Sequence, residues 1–213
     1  MSLDQHFIPT GTVYGTLLNF KAELTAMRPQ MHEPPYKAPP QTPVLYIKPA
    51  NTWSANGANI SVPARVPEVE IGATVAMVVD KKQVQFVIMN DLSIPHNSFF
   101  RPPVKFKCMD GFLGIGSQTV ESDKPQDFKL EVRVNGDVVQ SLDFSQLVRP
   151  AAQLLADVSE FMTLHDGDVL MLGCDCLPDG KRPLAKVGDV ITISATSHPA
   201  LGTLSNTLIA EAA

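Results

Sequence analysis

Two apolar runs, Thr74–Val79 and Val84–Met89, lie only a few residues apart in the chain. Apart from Thr74 and Gln85, both runs are apolar throughout. A strand that reads this way fits burial on both sides of a sheet, and that burial constrains the rest of the fold. Other segments read as shorter strands. Thr12–Leu18 and Val44–Lys48 are rich in β-branched and apolar residues, and Ser61–Pro67 has strand character broken by proline. Lys129–Val134 alternates apolar and charged residues, and Asn135-Gly136 leads from it into Asp137–Leu142. Asn-Gly tolerates the positive φ angles of a two-residue hairpin turn. Val169–Leu172 and Val190–Thr196 complete the set, each entered through a Gly-Asp turn.

Helical signals are fewer. Phe20–Met27 suits a short helix. Pro150 suits a first helical turn, and Ala151, Leu154, Leu155, Val158, Phe161 and Met162 then recur every three or four residues along one face. Residues 28–43 hold six prolines, which remove backbone donors and fix φ, so irregular extended chain is expected there. The pattern predicts a mixed α/β, strand-dominated fold with few helices. The length of 213 residues suits a leader over 1–10 and a single domain over 11–213.

Hydrophobic content of 44% supports a substantial core, and a net charge of −5 argues against nucleic acid or an anionic membrane as partner. No stretch approaches 18 consecutive apolar residues, and the first residues lack the basic and apolar regions of a signal peptide. Three cysteines are an odd number for a disulfide framework, and a reduced, cytoplasmic chain is the simple reading. Glycine-rich nucleotide loops, the Gly-x-Ser-x-Gly elbow and His-Glu-x-x-His are all absent from the sequence.

Several groupings have the composition of a site. Glu68 and Glu70 stand at i and i+2, the same side of a strand, and could reach one ion; they equally suit a solvated edge. Cys174-Asp175-Cys176 with Cys108 and His165 has zinc-ligand chemistry without zinc-ligand spacing. His32-Glu33 has the composition of an acid–base dyad but sits in the proline-rich segment. Arg101 in Phe99-Phe100-Arg101-Pro102-Pro103 suits bidentate carboxylate binding, or an ordinary surface position.

Four motifs in order carry a wider resemblance: Ile47-Lys48-Pro49-Ala50-Asn51-Thr52, Asn90-Asp91-Leu92-Ser93, Lys107-Cys108-Met109-Asp110-Gly111-Phe112 and Thr163-Leu164-His165-Asp166-Gly167-Asp168. Together they resemble the fumarylacetoacetate hydrolase family. Pro35-Tyr36-Lys37-Ala38-Pro39-Pro40, Ser98-Phe99-Phe100-Arg101-Pro102 and Arg149 with Ala151-Ala152-Gln153-Leu154-Leu155 are similar to one branch. That branch is the N-terminal half, or separate subunit, of bifunctional isomerase/decarboxylases of homoprotocatechuate (4-hydroxyphenylacetate) degradation.

The resemblance implies a β-sandwich or roll with few helices, a dimer or a pairing with an active C-terminal-type half, and a small 2-oxo or dicarboxylic acid substrate. It implies decarboxylation of 5-oxopent-3-ene-1,2,5-tricarboxylate and isomerisation of 2-hydroxyhepta-2,4-diene-1,7-dioate. It implies Mg2+ or Mn2+ as cofactor, with Asp91 as one metal ligand and Lys107 as the substrate contact. The resemblance implies a divalent ion held by a Glu-x-Glu pair and a later aspartate, and an ungapped count from Thr52 through Gly57, Ile60 and Pro63 puts the glutamates at positions 72 and 74.

Those positions are Gly72 and Thr74. Loss of two of three anionic ligands should abolish tight binding of a hard cation, which leaves Asp91 with Glu68 or Glu70 as the candidate metal ligands of this chain. Those glutamates sit four residues early, about 13 Å along a strand. Restoring carboxylates at 72 and 74 is expected to raise metal affinity. Further departures are Glu23 in place of a lid histidine, Pro95 in place of an arginine, Gly173-Cys174-Asp175 in place of Gly-Thr-Pro, and a short Asp80–Gln85 connection. Two roles stay open: a metal-dependent enzyme, and a catalytically degenerate half that serves structurally or only binds a 2-oxo acid or dicarboxylate.

Overall fold

The computed structural model describes residues 6–80, 83–96 and 103–212. In chain order its strands are β1 (Val13–Leu17), β2 (Val44–Lys48), β3 (Trp53–Ala55), β4 (Asn59–Val62), β5 (Val69–Glu70), β6 (Ala73–Val78), β7 (Gln85–Asp91), β8 (Leu113–Glu121), β9 (Lys129–Val134), β10 (Asp137–Asp143), β11 (Val169–Met171), β12 (Leu184–Ala185), β13 (Val190–Ala195) and β14 (Thr203–Ala210). The helices are α1 (Lys21–Met27), α2 (Val104–Lys107) and α3 (Ala151–Ser159).

The strands form a seven-stranded sheet in the order β2-β1-β11-β6-β7-β8-β3, a five-stranded sheet in the order β10-β9-β13-β14-β4, and the small pair β12-β5. The two apolar runs become β6 and β7, antiparallel at the middle of the larger sheet. Alternation along them explains why both faces are buried. Val75, Met77, Phe86 and Ile88 enter the main core, which they share with Leu130, Val132, Ile191 and Ile193 of the second sheet. Ala76, Val78, Val87 and Met89 enter a second cluster with Val13, Tyr46 and Met171. Each large side chain buried this way contributes about 1.5–3 kcal/mol. The strand-dominated expectation therefore holds.

Asn135 (φ 53°) and Gly136 (φ 93°) form the hairpin turn between β9 and β10. Asn135 also accepts from Val190 N at 2.9 Å and donates to Asp189 at 2.8 Å, which ties the turn to the start of β13.

Some sequence expectations differ in detail. The helix after Pro150 stops at Ser159, so Phe161 is 60% exposed and does not join the buried face. Part of the proline-rich segment, Arg28–His32, winds into a 3-10 turn. The strand expected from Ser61 begins at Asn59 and stops at Val62, before Pro63. β8 and β14 lack a clean hydrophobic signal because their glycines and polar residues serve close packing. A Cβ on Gly114 would lie 2.3 Å from Asn206 Oδ1 of β14, and one on Gly116 would lie 2.9 Å from Ile88 O of β7.

Candidate functional site

The site lies where β7 ends. Asp91 N donates to Gly72 O at 2.8 Å, and this close approach depends on glycine. A Cβ on Gly72 would sit 2.2 Å from Asp91 O, so position 72 has no room for a side chain unless the backbone moves.

Asp91 is wholly buried. Its Oδ2 accepts from Lys107 Nζ at 2.5 Å and from the Tyr46 hydroxyl. Its Oδ1 lies 3.0 Å from Lys48 Nζ but receives no directed hydrogen bond, so that contact is Coulombic. The Lys48 ammonium is spent on main-chain carbonyls, those of Phe112 at 2.7 Å, Leu92 at 3.3 Å and Lys107. Lys107 Nζ also lies 4.7 Å from the Tyr46 ring centroid. Burial alone would raise the Asp91 pKa, but the Lys107 and Lys48 ammoniums outweigh it and hold the carboxyl well below the usual carboxylate range. Burial lowers the Lys48 pKa, opposed by Asp91.

The alternation of β2 produces this arrangement. Tyr46 and Lys48 point inward and Ile47, 52% exposed, points out. An exposed isoleucine between a buried tyrosine and a buried lysine inverts the usual pattern, and that inversion was the available signal for Lys48.

Beside this centre lies a cavity of about 420 Å³, lined among others by Glu23, Gln30, Glu70, His96, Cys176 and Arg182. Glu23 accepts from Leu18 N at 2.7 Å and from Arg182 Nη2 at 3.1 Å. Burial raises the Glu23 pKa against the opposing pull of Arg182. Glu70 is fixed by a bridge to Ser93, Glu70 N donating to Ser93 O at 2.8 Å, and burial raises its pKa also. Arg182 follows the turn-forming Pro178-Asp179-Gly180 and carries no motif that marks it as a site residue.

The structure thus brings Asp91, Lys107 and Gly72 together, with Thr74 on the adjoining strand and Glu70 at the cavity. Thr74 is buried and donates its hydroxyl to Gly173 O at 2.6 Å. Glu68 is exposed and outside β5, so it does not share a cavity-facing side with Glu70. His32 and Glu33 are both exposed. Arg101 lies outside the described residues. Burial pushes the Cys174 thiol up to about 12 and the Cys176 thiol up to about 11, which keeps both protonated at neutral pH.

The donor set does not fit a hard divalent cation. Position 72 has no side chain or space for one, Thr74 offers a neutral hydroxyl already committed, and Asp91 faces two ammoniums. Among the described residues no group of three or more His, Cys, Asp or Glu has metal-holding geometry. No helix among them is long and apolar enough to cross a membrane.

Comparison with known proteins gives the setting. The profile of the fumarylacetoacetate (FAA) hydrolase C-terminal domain, a family whose enzymes generally use a divalent metal, matches residues 12–209. The 4-hydroxyphenylacetate degradation bifunctional isomerase/decarboxylase of Salmonella dublin is 36% identical over 213 residues, covering 94% of this chain and 48% of that protein. The protein of the same description from Escherichia coli is 36% identical over 207 residues, covering 90% and 46%. The chain therefore spans about half the length of these curated relatives. A 5-carboxymethyl-2-hydroxymuconate delta-isomerase from Mycobacterium smegmatis has the same fold, with a TM-score of 0.76 at 22% identity over 97% of this chain and 79% of that one. A 2-hydroxyhepta-2,4-diene-1,7-dioate isomerase from Mycobacterium marinum matches with a TM-score of 0.76 at 21% identity, over 98% and 78%. By its profile match along nearly the whole chain and its identity to these isomerase/decarboxylases, the chain belongs to the fumarylacetoacetate hydrolase family.

Proposed function

We propose that this chain is one half of a two-half isomerase/decarboxylase of 4-hydroxyphenylacetate catabolism, acting in the cytoplasm, and that its own Asp91 centre does not run the metal-dependent step. The pathway assignment rests on the relatives, which match the chain along 94% of its length but contain twice as much protein. The division of labour rests on one observation: Asp91 is ion-paired with both Lys48 and Lys107. A divalent ion brought to that carboxylate would face two ammonium groups at close range with no second anionic ligand.

In this reading the partner half keeps the Glu-x-Glu pair and holds Mg2+ or Mn2+, which supplies Lewis-acid stabilisation of the enolate of a 2-oxo acid. This chain supplies the other half of the assembly. Its lysines and Asp91 hold β7, α2 and the start of β8 in one rigid corner rather than touching substrate.

The test is reconstitution. The chain alone, an active-type half alone and their mixture are each assayed for decarboxylation of 5-oxopent-3-ene-1,2,5-tricarboxylate and isomerisation of 2-hydroxyhepta-2,4-diene-1,7-dioate with Mg2+. The reading expects no turnover by this chain and full turnover only in the mixture. Full activity of the partner half alone, or turnover by this chain alone, contradicts it.

A second reading keeps chemistry in this chain, as a homodimer, with Asp91 and Glu70 as ligands and Lys107 as substrate contact. What favours it is Glu70, which lines the cavity next to the Asp91 centre.

A further inference from the structure

Arg182 has more hydrogen-bonding capacity than the protein uses. Its side chain is only 8% exposed, yet its one protein partner among the described residues is Glu23, through Nη2. A guanidinium carries five N–H donors in a rigid planar fork. None of its nitrogens is both sealed from solvent and unsatisfied, so the unused edge opens onto the cavity that Arg182 lines. A buried cation with a free bidentate edge at the wall of a cavity of about 420 Å³ is a ready receptor for a planar anion.

We propose that Arg182 anchors a metal-independent binding site for small carboxylic acids, with Glu23 as its resident counter-ion and Glu70 as the acceptor for a hydroxyl on the bound acid. A cavity of about 420 Å³ has room for a five- or six-carbon acid. Ala26, Met27 and Gly180 give the wall an apolar stretch for the carbon chain. Lys181 also borders the cavity, so two cations balance Glu23 and Glu70 before any ligand enters.

Glu23 gives the proposal a distinctive sign. It holds one edge of the guanidinium and places a negative charge beside the site, so it competes electrostatically with an incoming carboxylate. Glu23→Gln keeps an oxygen to accept from Leu18 N and removes that charge. If Arg182 only tied α1 to the loop after residue 176, Glu23→Gln would loosen the fold and leave nothing to bind more tightly.

The inference is independent of the pairing proposed above, because it concerns this chain alone with all divalent ions removed. The experiment is isothermal titration of the full chain, in EDTA, with glutarate and with 2-hydroxyglutarate. Saturable binding of both is expected, the hydroxy acid being tighter. Arg182→Lys, which retains the charge but not the fork, should weaken both by about tenfold or more. Glu23→Gln should strengthen both, and Glu70→Gln should reduce the preference for the hydroxy acid. Circular dichroism and melting curves identify folded variants, and Arg182→Lys and Glu23→Gln differ enough that one reports if the other does not fold. Absence of binding in EDTA, binding that requires Mg2+ or Mn2+, unchanged affinity in Arg182→Lys, or weaker affinity in folded Glu23→Gln each overturns the proposal. Failure of the reconstitution assay would leave this result standing.

Discussion

Lys107 Nζ meets Asp91 Oδ2 at 2.5 Å, with 1% of the lysine side chain and none of the aspartate side chain exposed. The pair is not isolated, because Lys48 approaches the other oxygen of the same carboxylate at 3.0 Å. One buried anion therefore serves two buried cations, and the consequences of removing each member differ.

Asp91→Asn strands both ammoniums. Breaking a buried ion pair from one side costs about 3–5 kcal/mol, so the variant should lose at least that much stability. Lys107→Met leaves Lys48 beside Asp91 and should cost less. Urea unfolding at pH 7 of the two variants checks the order, and an Asp91→Asn loss below that of Lys107→Met contradicts it.

The pH dependence has two opposite components. Asp91 has a folded pKa below its ordinary value of 3.8, so its contribution is present above about pH 4 and is lost as pH falls through the folded pKa. Glu23 has a folded pKa above its ordinary value of 4.5, so the folded state holds the proton more tightly and stability declines as pH rises from there through the folded pKa. Stability curves from pH 3 to 7 should therefore show the Glu23→Gln variant gaining on the wild type as pH rises above about 4.5, while Asp91→Asn flattens the acid limb.

Gly72 does more than lack a ligand. With a Cβ 2.2 Å from Asp91 O, Gly72→Ala forces β6 and β7 apart. Overpacking of this kind costs about 1–3 kcal/mol, and a glutamate would add a buried charge. The carboxylate restoration that the sequence alone recommends, Gly72→Glu with Thr74→Glu, should destabilise the fold rather than create a metal site. Thermal melts with and without Mn2+ check this; a folded double variant whose melting temperature rises with Mn2+ contradicts it.

At the β9–β10 turn, Gly136 has φ 93°. Gly136→Ala should cost about 1–2 kcal/mol from the left-handed strain alone, without altering ligand binding. Urea unfolding measures it, and an unchanged midpoint contradicts it.

Much of the fold was legible because β6, β7 and the Asn135-Gly136 hairpin each carry a local signal that agrees with their tertiary position. β8 and β14 were not, since Gly114, Gly116 and Asn206 are chosen for contact between strands distant in sequence. The same limit applies to the site. Asp91 and Lys107 stand in recognisable motifs, but their mutual pairing joins residues 16 positions apart through α2, and the pairing with Lys48 spans 43 positions. Arg182 carries no local signal, because its partner Glu23 lies 159 positions away. The register of Glu68 and Glu70 was also misleading: Val69 is the buried residue of that segment, Glu70 turns to the cavity, and Glu68 stays in solvent.

The central claim is that two lysines occupy the electrostatic role at Asp91 that a divalent ion would otherwise take. Titration of Mn2+ into the purified chain, followed by electron paramagnetic resonance of the free ion, tests it most directly. The account predicts no stoichiometric binding below millimolar Mn2+. One Mn2+ held per chain at micromolar concentration, and lost in Asp91→Asn, would contradict it.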